Sequence, residues 1–269
     1  MCPMPQPALV DSHCHLDFPD FAGEIDAVVA RAAAAGVGRM VTICTRLRQE
    51  PQVRAIAEAE AAVFYAAGTH PMQAAEEPLA SVEDLVRIAA HPKMVGIGET
   101  GLDYHYTAES AAIQAESLRI HVEAARQTGL PLIIHARDAD ADIARILAEE
   151  HAAGRFSCVM HCFTASAALA ETALALGFYL SISGIATFRT AGSLRDIFAA
   201  APRDRLLVET DSPYLAPLPH RGRRNEPAYV ADTVRGVAPA LGLEPAELAA
   251  LTSANFDRLF AKAAAWSPA

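Results

Sequence analysis

Residues 131–164 read PLIIHARDADADIARILAEEHAAGRFSCVMHCFT, one complete strand–helix–strand passage. Leu132–Ile134 is a short continuous apolar run ending at His135. Asp142–His151 carries a helical pattern that a glycine, Gly154, should stop. Ser157–Met160 is a second apolar run, ending at His161. Short apolar strands without alternation suit a parallel sheet covered by helices on both faces. A histidine at the end of a buried strand ordinarily reads as a satisfied core residue. Two on successive strands place polar chemistry at one edge of the sheet.

The pattern repeats in both directions. Strand candidates are Ala8–Val10, Met40–Cys44, Val63–Ala67, Met94–Ile97, Leu132–Ile134, Ser157–Met160, Phe178–Ile182 and Leu206–Val208. Ala-rich helical segments lie between them, among them Glu24–Ala35, Val82–Ala90, Ser110–Gln127, Ala167–Leu176 and Leu194–Ala200. Gly36, Gly129, Gly154 and Gly177 stand as their C-caps. About eight βα alternations, in a chain of 269 residues, give a (β/α)8 barrel, whose usual length is about 250 residues. A doubly wound open sheet is the competing architecture. It would carry a Gly-rich phosphate loop after an early strand, and the first junction here is DSHCHLDF instead. After Pro227 the strand pattern stops, and Pro227–Ala240 and Pro245–Phe260 read as two closing helices. Residues 1–269 form a single domain on this reading.

Candidate ligands follow the strands. His13 and His15 come after the first; a spacing of two puts both imidazoles on one face. Glu99 follows the fourth, His135 the fifth, His161 the sixth and Asp211 the eighth. Six N/O ligands on one rim describe a metal centre of two divalent ions, with the Glu99 carboxylate able to reach both. His13, His15 and Asp211 would hold one ion, His135 and His161 the other. Four imidazoles favour Zn2+ or Mn2+, whereas Mg2+ prefers oxygen ligands. Glu99 and Asp211 are also the candidate catalytic groups, Asp211 as a proton acceptor.

His70, ending the third strand, is assigned to substrate phosphate, with Arg137 pointing into the same space. Arg221, Arg223 and Arg224 form the one dense basic cluster, of the residue type suited to bidentate phosphate contact. Asp11 is either a partner of the ligands or a strand-end acceptor, and Asp103 either orients a ligand or caps a turn. Tyr104, His105 and Tyr106 offer base stacking or packing. Cys14 and Cys162 adjoin ligands but should face away from them.

Composition bounds the rest. A net charge of −10 argues against sequence-wide coating of nucleic acid. Five cysteines without a CxxC spacing look like reduced thiols of a cytoplasmic protein. The N-terminal stretch lacks the basic start and apolar run of a secretion signal, and no apolar run is long enough for a membrane span.

Together, the blocks from Asp11-Ser12-His13-Cys14-His15 to Arg221-Gly222-Arg223-Arg224-Asn225-Glu226-Pro227 resemble the TatD-like deoxyribonucleases, metal-dependent hydrolases related in fold to the amidohydrolases. The resemblance implies a TIM-like barrel with one to three divalent ions held at His13, His15, Glu99, His135, His161 and Asp211. It implies Glu99 as the bridge and His70 beside the substrate phosphate. It also implies 3′–5′ exonuclease action on single-stranded or frayed DNA, with RNA or another phosphoester as variants, often with Mg2+, and no obligate protein partner. One departure is His70-Pro71-Met72, where many members read His-Pro-His. An amidohydrolase acting on a small amide, lactone or other ester is the alternative. A non-catalytic metal-stabilised binding scaffold is the remote one.

Overall fold

The computed structural model describes residues 9–267. Eight strands pair in parallel in their sequence order: β1 Leu9–Cys14, β2 Val37–Cys44, β3 Val63–Ala67, β4 Met94–Asp103, β5 Leu132–Arg137, β6 Cys158–Met160, β7 Tyr179–Ile182 and β8 Leu206–Val208. An unreversed order is that of a barrel and excludes the doubly wound sheet. Between β1 and the end of β8 the ring is joined by loop bonds. His15 N donates to the Ser212 carbonyl (2.8 Å) and Asp211 N to the His13 carbonyl (2.9 Å). Ser12 Oγ donates to the Val208 carbonyl at 2.9 Å.

Seven helices cover the sheet: α1 Ile25–Ala34, α2 Glu50–Ala59, α3 Val82–Ala89, α4 Ala111–Thr128, α5 Asp140–Ala153, α6 Ala167–Ala175 and α7 Gly192–Ala200. The tail adds α8 Val230–Val237, α9 Pro245–Leu259 and α10 Ala261–Ala264. The expected helix over Pro227–Ala240 is broken at both ends into 3-10 turns, Pro227–Tyr229 and Ala238–Leu241. Pro239 is one reason: it has no N–H to offer an α-helical carbonyl. Gly154 is the C-cap of α5, as expected. Its backbone is extended (φ −178°), and the chain leaves α5 without a left-handed cap. Ala8, at the edge of the first expected strand, and Cys2 lie outside the described residues.

Two apolar cores follow from strand alternation. Val10, Val41, Phe64, Val95, Ile133, Val159 and Leu207 face one another inside the barrel, and Phe256, Leu259 and Phe260 join them from the C-terminal helices. Their strand neighbours, Leu9, Met40, Val63, Met94, Leu132, Cys158 and Leu206, pack outward against the helices. The barrel interior is thus closed at one pole by apolar side chains. The other pole, where the strands end, is left to polar ones. No helix among the described residues is long and apolar enough to cross a membrane.

Candidate metal centre

Bulges in two strands aim the central side chains. In β1, Asp11 pairs Met40 and Cys14 pairs Thr42, so β1 carries one extra residue around Ser12 and His13. In β4, Ile97 pairs Leu132 and Thr100 pairs Ile134, the extra residue falling at Gly98 and Glu99. A bulge re-aims the side chain it carries. Gly101, with φ +145°, lets β4 continue beside β5: a Cβ there would stand 1.9 Å from the His135 carbonyl oxygen. Both strands therefore run on past their expected ends, to Cys14 and Asp103.

Glu99 is the hub. Its Oε1 lies 2.7 Å from His161 Nε2, 3.1 Å from His135 Nδ1 and 3.4 Å from His70 Nε2. Its Oε2 lies 3.4 Å from His13 Nε2. On the far side, Asp211 Oδ1 is 3.3 Å from His15 Nε2 and 3.7 Å from His13 Nε2. Three groups bring ligand atoms within 4.8 Å of one another: His13, Glu99 and His161; His13, His15 and Asp211; and His70, Glu99 and His135. The grouping differs from the expected one. His161 stacks on His13 (ring centroids 3.9 Å) while its Nε2 shares Glu99 Oε1 with His135, and His70 faces His135 at 4.4 Å.

The tautomers follow from the outer contacts. His15 Nδ1 donates to the Ile43 carbonyl at 3.3 Å, which leaves a bare Nε2 facing Asp211. His161 Nδ1 donates to Glu209 Oε1 at 3.3 Å and His135 Nε2 to Asp103 Oδ2 at 3.0 Å, so each presents its other nitrogen to Glu99. His70 is wired the other way. Its Nδ1 accepts from Met72 N (3.2 Å), so a neutral His70 carries its proton on Nε2 and turns a donor inward. That nitrogen lies 3.4 Å from Glu99 Oε1.

The donor set fits divalent cations. His13 and His15 bring their Nε2 atoms to 3.3 Å of one another, with carboxylate oxygens beside both. Burial alone would push the Glu99 carboxyl up, but His161, His70, His13 and His135 hold it well below the usual carboxylate range. Burial pulls the His161 imidazole down, and Glu99 and Glu209 outweigh it and raise it well above its ordinary value. The carboxylates draw positive charge into this pocket, as protons or as metal ions. The softness of the nitrogens favours ions such as Zn2+ or Mn2+ over Mg2+.

Glu209 is the functional residue missed by the sequence reading. Besides His161, its Oε1 accepts from Cys162 N at 2.6 Å, fixing the turn that carries the ligand. It stands two residues before Asp211, the period-two spacing that singled out His13 and His15. Asp103 takes both roles left open for it: Oδ2 orients His135, and Oδ1 accepts from Tyr106 N at 2.8 Å. Asp11 accepts from Thr210 N (2.8 Å) and Thr210 Oγ1 (2.6 Å), tying the Asp211 loop to β1. Burial pushes its carboxyl up to about 8. Cys14 is buried with Sγ toward the Val41 carbonyl, and Cys162 turns Sγ to Ser183 Oγ through a left-handed backbone (φ 40°).

The basic residues divide. Arg137 lies over the Tyr106 ring (4.7 Å) and Arg221 over Phe188 (4.6 Å). Among the described residues, Arg137, Arg221 and Arg223 form no ion pair, and all three are exposed. Arg224 is engaged within the protein: it pairs with Glu24 at 2.7 Å and lies over Phe21, both in the connection from β1 to α1. Tyr104 donates to Asp142 Oδ2 (2.9 Å) and His105 pairs with Asp138 (2.9 Å), while Tyr106 keeps an exposed ring with Arg137 over it and the His105 ring edge-on at 4.6 Å.

A (β/α)8 barrel with imidazoles and carboxylates converging at the strands' C-terminal mouth defines a metal-dependent hydrolase. The profile of the TatD related DNases matches residues 10–261, and the chain belongs to that family. It is 46% identical over 257 residues to the Escherichia coli K12 protein named "Uncharacterized metal-dependent hydrolase YcfH", covering 94% of this chain and 95% of that one. A Citrobacter rodentium protein named "3'-5' ssDNA/RNA exonuclease TatD" is 32% identical over 257 residues, 94% of this chain and 97% of that one. The crystal structure of the TatD homologue YJJV from Escherichia coli K12 superposes with a TM-score of 0.88 at 30% identity, over 96% of this chain and 99% of that one.

Proposed function

We propose that this hydrolase cleaves phosphodiester bonds, removing nucleotides from the 3′ end of single-stranded or frayed DNA, or of RNA, in the cytoplasm. The observation that carries the reading is the placement of Glu99: one oxygen toward His161 and His135, the other toward His13, at a mouth bordered by unpaired arginines. On this reading, His13, His15, Glu99, His135, His161 and Asp211 hold two divalent ions. Bound there, the ions supply Lewis-acid stabilisation of the phosphoryl charge and an acidified attacking water.

The protein's own groups do the rest. Asp211, whose Oδ1 approaches the same His13 nitrogen as Glu99, accepts the proton of the attacking water. His70 donates Nε2–H to a phosphate oxygen, its orientation fixed by Met72 N. Arg137, Arg221 and Arg223 neutralise the neighbouring phosphates. The name of the Citrobacter relative supports the same bond class and polarity.

The test is mononucleotide release from 3′-labelled and 5′-labelled single-stranded DNA and RNA. It is run with chelator, then Mg2+, Mn2+ and Zn2+, beside Glu99→Ala. Metal-dependent stepwise loss from the 3′ end, reduced at least about a thousandfold in the variant, is expected. A Glu99→Ala protein with full activity removes the assignment, and an inert wild type removes the substrate class.

A further inference from the structure

Tyr106 and Tyr214 are each 54% exposed, the most open large hydrophobic side chains among the described residues. Their positions are not scattered. Tyr106 follows β4 and Tyr214 follows β8, four strands apart in a ring of eight, so they stand on opposite sides of the mouth.

Each is tied to the metal centre through a single intermediary. Tyr106 N donates to Asp103 Oδ1, whose other oxygen takes His135 Nε2. Tyr214 packs edge-on against Phe18 (6.0 Å), which stacks on the His15 ring at 4.6 Å and 20°. Tyr214 N also donates to the Asp211 carbonyl at 3.0 Å. Positive charge lies on the Tyr106 ring itself and, for Tyr214, in the same loop. Arg137 lies over Tyr106, and Arg221 and Arg223 belong to the loop that carries Tyr214.

An exposed aromatic ring takes a nucleobase by stacking, largely without regard to sequence, and a guanidinium that moves off such a ring or stands in the same loop takes a phosphate. We infer that Tyr106 and Tyr214 are two base-stacking platforms flanking Glu99, so that the substrate is an unpaired strand bearing a nucleobase on each side of the phosphate that is cut. The inference rests on the phosphodiesterase reading and adds its substrate geometry. Bases paired in a duplex offer neither ring a free face.

The test compares the wild type with Tyr106→Ala, Tyr214→Ala, Tyr106→Phe and Tyr214→Phe. Two metal-loaded substrates are used: a single-stranded oligonucleotide, and one of the same length whose terminal residues are abasic. Stacking on one ring corresponds to roughly 5- to 150-fold in affinity. Each Ala variant is expected to raise KM on the normal strand by a factor in that range, with kcat within about twofold of wild type. The Phe variants should restore KM, and the abasic strand should not distinguish any of the proteins. A 2-aminopurine-labelled strand bound to metal-free protein should lose fluorescence with wild type and the Phe variants, and less with the Ala variants.

Ala variants that keep the wild-type KM overturn the platforms and leave the phosphodiesterase reading standing. So does an equal loss on the abasic strand, which marks a general structural defect. A wild type that cleaves neither substrate with any metal refutes the parent reading and the platforms together.

Discussion

His121 sets up a sharp test of how the substrate side of the mouth is held. It lies fully buried in the middle of α4, donating Nδ1–H to the Ser117 carbonyl (2.7 Å) and accepting from Thr69 N (3.1 Å) through Nε2. Both bonds need the neutral ring, because a protonated Nε2 would face the Thr69 N–H. Burial pulls its pKa from 6.5 down to about 4, countered only by the Ser117 carbonyl. The sign of the linkage follows. Below its ordinary value the unfolded chain takes up a proton that the folded protein refuses. The stability that His121 gives is therefore complete above about pH 6.5 and is lost as the pH falls toward about 4. Between about pH 7.5 and about pH 5 the loss from this one ring comes to about 2 kcal/mol. Urea unfolding of wild type and His121→Gln, both in chelator, isolates it, since the metal ligands titrate in both proteins and cancel. The gap in unfolding free energy between the two should narrow by about 2 kcal/mol over that range. A gap that stays constant with pH would refute the neutral buried ring, and with it the account of how Thr69 is held beside His70.

Glu209→Gln should weaken metal binding or activity by about 10- to 100-fold, because His161 loses the carboxylate that fixes its tautomer; calorimetric metal titration reads this directly. Arg224→Ala should shift the unfolding midpoint only slightly, as expected for an exposed pair with Glu24, and leave KM for nucleic acid unchanged because Glu24 already engages its guanidinium. Arg137→Ala should instead raise KM with little change in unfolding midpoint.

The strands and the ligand series were legible because apolar runs closed by a polar residue survive in any context. All eight strand candidates correspond to strands, and Glu99, His135, His161 and Asp211 follow from where those runs stop. The bulges were not legible. Asp11, Ser12 and His13 continue β1 as polar residues, and nothing in their order says that one is an insertion opposite Met40–Thr42. His121 was hidden for a different reason. Inside Ser110–Gln127 it looks like any helix polar residue, and its role depends on a backbone N–H 52 residues earlier. The basic cluster shows the same limit. Composition brings Arg221, Arg223 and Arg224 together, but only the fold shows that Glu24, 200 positions away, claims the last of them.

Position on the barrel also separates the two hydrolytic readings of the sequence. Amidohydrolases with two metals commonly bridge them by a carboxylated lysine, and this chain has only Lys93 and Lys262. Lys93 Nζ donates to the carbonyls of Ala57 and Glu60, at the end of α2. Lys262 Nζ donates to those of Ala89 and His91, at the end of α3. Cations at helix C-termini complement the unsatisfied carbonyls there. In a βα barrel the helices run back against the strands, so those termini lie at the pole opposite the mouth. Neither lysine can reach the centre. At the mouth stands instead Glu99, a carboxylate encoded in the chain and held ionised by the imidazoles around it, which on the proposed reading would take the lysine's place. On the reading proposed above, two divalent ions at this site would bring more positive charge than Glu99 and Asp211 offset. That surplus faces arginines without acidic partners. A phosphodiester, which carries its negative charge at the bond to be broken, is stabilised by that arrangement.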